Sequence, residues 1–502
     1  MKCTKLFTIV VLSLFSFGVA AKDYSASFFG INSNGTTLNT RSIQFALDYI
    51  NKEGGGRLIF YVGRYLTGTL HMRSNVTIHL DEGAVLLGSL NPFDYESRTN
   101  PFMTALLLAD TVQNIAITGK GMIDGQGQQV ARNYVDVIDK GLIKDHFRNG
   151  RAEAETRPMI IYFRSCKNIL IRRIMFKNSA SWNQTYDQCK NLKVDSITVD
   201  NKVFWNEDGI DIVDCDSVSV TNSYIDAADD GICLKSHDPK AFCNNIFIRN
   251  NIIRSSANAI KFGTASLGGF KNVRIINNKV FDTYRSAIAL EAVDGGFVEN
   301  IEVDSLQVMN TGNVIFLRVG ERWGEKTARM NNISIKNVVA DVPATKPDAG
   351  YSYEGPIEDL PRNISPGIII TGLPNKKITN VTISNVQIKH AGGGNPIYAK
   401  VALNELDKIP EFPDHYPDFS MFKELPAWGV YIRHAQHVVI SNIELTADKK
   451  DYRLAIVTDD VQSSKFSAVK VKQPGEGNVY HFYKSTDVSI DKGVKGTTEK
   501  WY

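Results

Sequence analysis

Two acid-bearing segments carry the chemistry this chain could do. They are Asn206-Glu207-Asp208-Gly209-Ile210-Asp211 and, about one structural repeat later, Asp229-Asp230-Gly231-Ile232-Cys233-Leu234-Lys235. If the repeats stack, Asp208, Asp229 and Asp230 converge on one face, and paired carboxylates are what hydrolysis of a glycosidic bond requires. Like charges about one strand spacing apart raise the pKa of one partner, which sets a general acid beside a general base. A lone Asp at a coil turn is ordinary decoration of a scaffold. Three on adjacent coils, with Gly after two of them and basic residues on the next coils, point to a site.

The scaffold that must position them is written as a repeat. An apolar residue, a spacer, Asn or a substitute, and alternating apolar residues recur at Cys166, Cys189, Cys215, Cys243, Phe270 and Val298, with later copies at Met330, Ile378 and Ala435. The central copies are 23, 26, 28, 27 and 28 residues apart and carry period-2 strands with no helical pattern. Such a period predicts an all-β fold, a parallel β-helix, whose coils stack at about 4.8 Å so that equivalent positions become neighbours. The column Val112, Cys166, Cys189, Cys215, Cys243, Phe270, Val298 and Met330 is apolar throughout and is expected to face the core. Its four cysteines then read as packing, because their spacing is that of the fold itself and says nothing of disulfides or metal ligands. The Asn beside this column is expected to form an amide ladder at a coil corner, and Asn-x-Ser/Thr triplets such as Asn332-Ile333-Ser334 belong to that ladder rather than to glycosylation.

Aligning the strands after the acid-bearing turns gives Asp208-Gly209-Ile210-Asp211-Ile212, Asp230-Gly231-Ile232-Cys233-Leu234, Asn258-Ala259-Ile260-Lys261-Phe262, Ser286-Ala287-Ile288-Ala289-Leu290 and Asn313-Val314-Ile315-Phe316-Leu317. The third and fifth columns are apolar and predicted inward. Alternation then sends the second, fourth and sixth outward. The second column, Gly209, Gly231, Ala259 and Ala287, is expected to be a groove floor of small residues. Asp211, Lys235, Lys261, Glu291 and Arg318 are expected to project into the groove. Trp182 precedes Asp208 by one coil and suits either stacking on a sugar ring or plain packing. Trp428, on a segment of undetermined direction, is not assigned to the site.

Residues 1–21 combine a basic start, an apolar run from Leu6 to Val19 and Ala20-Ala21, the pattern of a secretory signal peptide and too short for a membrane span. Cys3 precedes the apolar run and is not read as lipid-modified. The mature chain, 22–502, is expected to be one exported body, periplasmic or secreted, with no membrane span. Ile43, Ala46, Leu47 and Ile50 mark a helix opened by Asn39 or Thr40 and closed by Gly54-Gly55-Gly56, which would cap the end of the coil stack. Excursions near 125–157, 341–367 and 391–427 interrupt the period and read as loops that could wall a binding site. A net charge of +3 argues against nucleic acid as a partner.

The two acidic segments resemble the Asn-Thr-Asp and Asp-Asp motifs of glycoside hydrolase family 28, the polygalacturonase family. Gly121-Met122-Ile123-Asp124-Gly125-Gln126-Gly127 and Tyr65-Leu66-Thr67-Gly68 also look like its bacterial members. The resemblance implies a right-handed β-helix and hydrolysis with inversion, without metal or cofactor. By motif position Asp229 would be the general acid, and Asp208 with Asp230 would activate water. The expected substrate is a pectin-type or related acidic polysaccharide.

The sequence departs from the family pattern in two places. Ala257-Asn258-Ala259 stands where the family has Gly-His-Gly, and Ala289-Leu290-Glu291 where it has Arg-Ile-Lys. Lys261 and Arg318, on flanking coils, either restore the missing positive charge or neutralise Glu291 through ion pairs. Trp182, Asn206, Asn258, Lys261, Glu291 and Arg318 are accordingly the predicted substrate-binding residues. Two other readings remain open on the same architecture: a polysaccharide lyase, which commonly needs a cation and a base, and a glycan-binding β-helix without activity.

Overall fold

Asn is the residue of the coil corners, because each corner needs a left-handed backbone that Asn tolerates better than other residues with a Cβ. Asn114, Asn168, Asn191, Asn245, Asn272, Asn300, Asn332 and Asn380 all have φ between 55° and 59°. Their amides form the expected ladder: Asn168 donates to Asn114 at 2.9 Å, Asn191 to Asn168 at 2.8 Å, and Asn332 to Asn300 at 2.8 Å. At one coil Ser217 takes the corner (φ 62°), and the ladder passes through Asp216, which accepts from Asn244 at 2.8 Å. A second Asn ladder runs through Asn222, Asn250 and Asn277.

The computed structural model describes residues 22–96, 104–144, 156–324, 327–345, 347, 365–399 and 401–499. The signal-peptide reading of residues 1–21 and most of the excursion at 341–367 lie outside the described residues. The chain winds as a parallel β-helix in which each coil pairs in parallel with the coils before and after it. Lys167 pairs with Lys190, Lys190 with Asp216, Asp216 with Asn244 and Asn244 with Lys271. Late in the stack the strands run on through the corners, as in Gly269–Ala292 and Phe297–Val319.

The interior is a continuous apolar column. Cys166, Cys189, Cys215 and Cys243 are fully buried in it and free of disulfides, as expected from their spacing. Helix α1, Thr40–Lys52, buries Ile43, Ala46, Leu47 and Ile50 at the N-terminal end of the stack, which shields strand edges and apolar coil residues from water.

The excursion at 125–157 differs from its reading as a loop. It opens with helix α2, Gly127–Asp139, which buries Val130, Ala131, Tyr134 and Val137. One helical face over so few residues is a weak signal beside a strong strand period. The excursion at 391–427 is compact: its residues 403–425 fold back onto the outward face of the coils that follow the acids and bury Leu406, Phe419 and Phe422.

Candidate active site

Asp208 and Asp230 stand at equivalent corners, one residue before the strands' inward glycines. Their strands, Ile210–Val213 and Ile232–Ser236, pair in parallel with Ile210 opposite Ile232 and Val213 opposite Lys235. The corner backbones are hydrogen-bonded coil to coil: Asn183 N to Asp208 O at 2.8 Å, Gly209 N to Asp230 O at 2.9 Å, and Gly231 N to Asn258 O at 2.8 Å. The acids therefore sit on a rigid ladder, which holds side chains more closely than a free loop could.

Two lysines partition the negative charge. Lys235 Nζ donates to Asp208 Oδ2 at 2.8 Å and also to Asp211, and its ammonium lies 4.3 Å from the ring centre of Trp182. Lys261 Nζ is 3.1 Å from Asp230 Oδ2 and donates to the Tyr416 hydroxyl at 2.8 Å. Asp230 Oδ1 also accepts from the Asn258 amide side chain at 2.9 Å and backbone N–H at 3.1 Å. Asp208, Asp230 and Cys233 bring ligand-type atoms within 4.8 Å of one another. Two ammonium groups already balance those carboxylates.

The environments pull the carboxyl groups apart. Burial, with the charges of Asp208 and Asp230, pushes Asp229 up to about 7, against the pull of Arg285 and Lys261. Burial acts on Asp230 in the same direction, but Lys261, Lys235, the Asn258 hydrogen bond and Arg285 outweigh it and hold this carboxyl below its ordinary value. Asp208 is driven upward by burial and by Asp211 and Asp230, with Lys235 opposing. Near neutral pH such a set offers a protonated carboxyl on Asp229 beside an ionised one on Asp230, the division of labour that acid–base cleavage of an acetal needs.

Asp229 is half-buried, whereas Asp208 and Asp230 are 3 % and 4 % exposed. Trp182 is half-buried, packs beside Met159 and Tyr162, and shares the site through Lys235. The Asn206 side-chain oxygen accepts from buried Arg157 at 3.1 Å, and Asn258 positions Asp230 while its own oxygen accepts from Ser286 N at 3.1 Å. Both are thus engaged with protein groups.

Three expectations are corrected. The second column is not a groove floor. A Cβ on Gly209 would lie 2.7 Å from Ile225 Cγ2, and one on Gly231 2.6 Å from Ile253 Cγ2, both core residues, while Ala259 and Ala287 are in the core. The corner resets the alternation, so second and third columns both face inward and the first faces out with the fourth. Arg318 does not reach the groove: it is 1 % exposed and donates to Glu411 O at 2.6 Å and Phe412 O at 3.0 Å. Glu291 is paired with neither Lys261 nor Arg318. It is fully buried, neither carboxyl oxygen has a hydrogen-bond partner among the described residues, and burial raises it to about 8.

Sequence reasoning passed over Tyr416 and Arg285. Tyr416 arrives from an excursion 155 residues beyond Lys261, with no periodic signal to place it. Arg285 holds the position before the first column, equivalent to Asp229, and its guanidinium lies 3.9 Å from Asp418. The register Ile232 opposite Ile260 and Ile260 opposite Ile288 carries that equivalence, which the alignment makes readable.

The family model for glycosyl hydrolases family 28 matches residues 61–284, which include all three acids. A probable polygalacturonase of Vitis vinifera is 27% identical over 402 residues, covering 74% of this chain and 75% of that one. An exo-poly-alpha-D-galacturonosidase of Dickeya chrysanthemi is 26% identical over 318 residues, covering 53% of this chain and 52% of its own length. The crystal structure of an exopolygalacturonase from Thermotoga maritima superposes with a TM-score of 0.62 at 20% identity, over 86% of this chain and 93% of that one, a likeness of fold. With the motif-bearing acids inside the matched segment, this chain is similar to glycosyl hydrolases family 28 over residues 61–284 and is a polygalacturonase-like glycoside hydrolase.

Proposed function

We propose that this hydrolase cleaves glycosidic bonds in galacturonate-containing, pectin-type polysaccharide with inversion, Asp229 donating the proton to the leaving oxygen and Asp230 with Asp208 orienting and deprotonating water. The observation that carries the reading is the split between two adjacent carboxyl groups: Asp229 raised to about 7, and Asp230 held low by Lys261 at 3.1 Å and Asn258 at 2.9 Å. The names of the relatives support the substrate class. Arg285, half-buried in the Asp229 column, supplies positive charge beside the acids where Ala289-Leu290-Glu291 has none of the family's cations.

Two measurements test this. Products of polygalacturonate and rhamnogalacturonan digests should be saturated sugars whose new reducing ends first appear, by proton NMR, with inverted anomeric configuration. An unsaturated uronide absorbing in the ultraviolet would make the enzyme a lyase instead. Export is part of the proposal and rests on the basic start and apolar run of residues 1–21. Intact-mass analysis of the secreted protein should show loss of about the first 20 residues, and a full-length secreted chain would reject it.

A further inference from the structure

Residues 403–425 form a strap over the outward face of the coils that follow the acids. Phe419 and Phe422 from the strap cluster with Ala289 and Phe316, both 0 % exposed, and the cover continues over Tyr431 and Tyr483 of later coils. Ala289 pairs with Lys261, and Lys261 pairs with Cys233 in the strand that follows Asp230. The face is therefore filled from the second coil beyond Asp230 onward, leaving roughly two coil spacings, on the order of 10 Å, on that side of the acids.

The strap is tied down at many points. Arg433 donates to Ile409 O at 2.6 Å, His481 to Leu403 O at 3.0 Å, and the Tyr483 hydroxyl to Asp407 at 2.8 Å, in addition to the Arg318 bonds. At its tip, Tyr416 is 49 % exposed and hydrogen-bonds Lys261, so an aromatic face stands at the edge of the site.

Because Asp208 lies one coil before Asp229 and Asp230, a sugar chain presented to all three acids runs along the stack and meets the strap. We propose that the strap, with Tyr416 as its sugar-facing tip, closes one end of the groove, so that the enzyme releases short products from a chain end and does not cut within the chain. The inference rests on the hydrolase reading above. The strap lies outside the residues matched by the family model, 61–284.

The test is a time course on polygalacturonate and on a ladder of oligogalacturonides labelled at the reducing end. End action predicts that one short product of fixed length accumulates from the first time point, that labelled oligomers shorten stepwise, and that viscosity falls only in proportion to sugar released. Early mid-length fragments with rapid loss of viscosity would overturn it while leaving the hydrolase reading intact. Hydrolysis of no pectic polymer at all would overturn the substrate reading, and the inference with it. A Phe419→Ser, Phe422→Ser double variant that retains the wild-type circular dichroism should gain internal cleavage severalfold. Unchanged end-only products in that folded variant would also count against the strap as the closing element.

Discussion

Lys261 Nζ lies 3.1 Å from Asp230 Oδ2 and hydrogen-bonds the Tyr416 hydroxyl, so this lysine is engaged with the Asp230 carboxylate and is almost wholly withdrawn from solvent. A cation in that position lowers the pKa of Asp230. Lys261→Ala is therefore expected to move the acid limb of the kcat/KM profile to higher pH and to reduce kcat on acidic and neutral glycans alike. Loss confined to KM for acidic substrates would instead assign Lys261 to binding the substrate carboxylate.

Asp229→Asn removes the protonated carboxyl and should lower kcat by about 10² to 10⁴ with KM little changed. Circular dichroism should stay as in the wild type, since the side chain is half-buried at a solvent-facing corner. Near-normal turnover would refute the acid assignment.

The pH–rate profile follows from the same pair. Asp229 must hold its proton, so activity falls as pH rises through about 7. Asp230 must be ionised, and its lowered value places the acid limb below the ordinary carboxylate range. In Asp229→Asn the residual activity should lose the basic limb, which steady-state rates between acid and alkaline pH will show.

Glu291 has a raised folded-state value near 8 because it is buried without a hydrogen-bond partner among the described residues. A carboxyl raised on folding contributes stability that is fully present below its unfolded value and is lost as pH rises through the folded one, at about 1.4 kcal/mol per unit. Glu291→Gln should therefore gain in Tm relative to the wild type as pH rises from about 4.5 to 8, measured by calorimetry across that range. A difference in Tm that is independent of pH would contradict the buried, neutral carboxyl.

Lys235 holds Asp208 and Asp211 together, and both are buried. Lys235→Met leaves two buried carboxyl groups without their cation, which is expected to cost about 3 to 5 kcal/mol in urea unfolding and to abolish turnover. A loss below roughly 1 kcal/mol would mean that water reaches the pair.

The sequence by itself determined the coil. The repeat spacing, the apolar ladder through Cys189, Cys215 and Cys243, and the corner Asn residues all report local requirements that recur with the coil: an inward side chain and a left-handed corner. The register that sets Lys261 opposite Ala289 and Glu291 opposite Arg318 followed from the same alignment, because strand pairing in a β-helix repeats the sequence period. The three acids were legible for that reason. Tertiary structure decided what the acids face. Gly209 and Gly231 turn inward because the corner interrupts alternation, a local geometry that period-2 reasoning cannot carry through a bend. Arg318 was drawn away to Glu411 O and Phe412 O, and Tyr416 was brought to Lys261, by a strap whose own sequence has no period. The charge state of each acid is a sum over burial and neighbours from several coils and that strap, so it exists only once the chain has closed over itself.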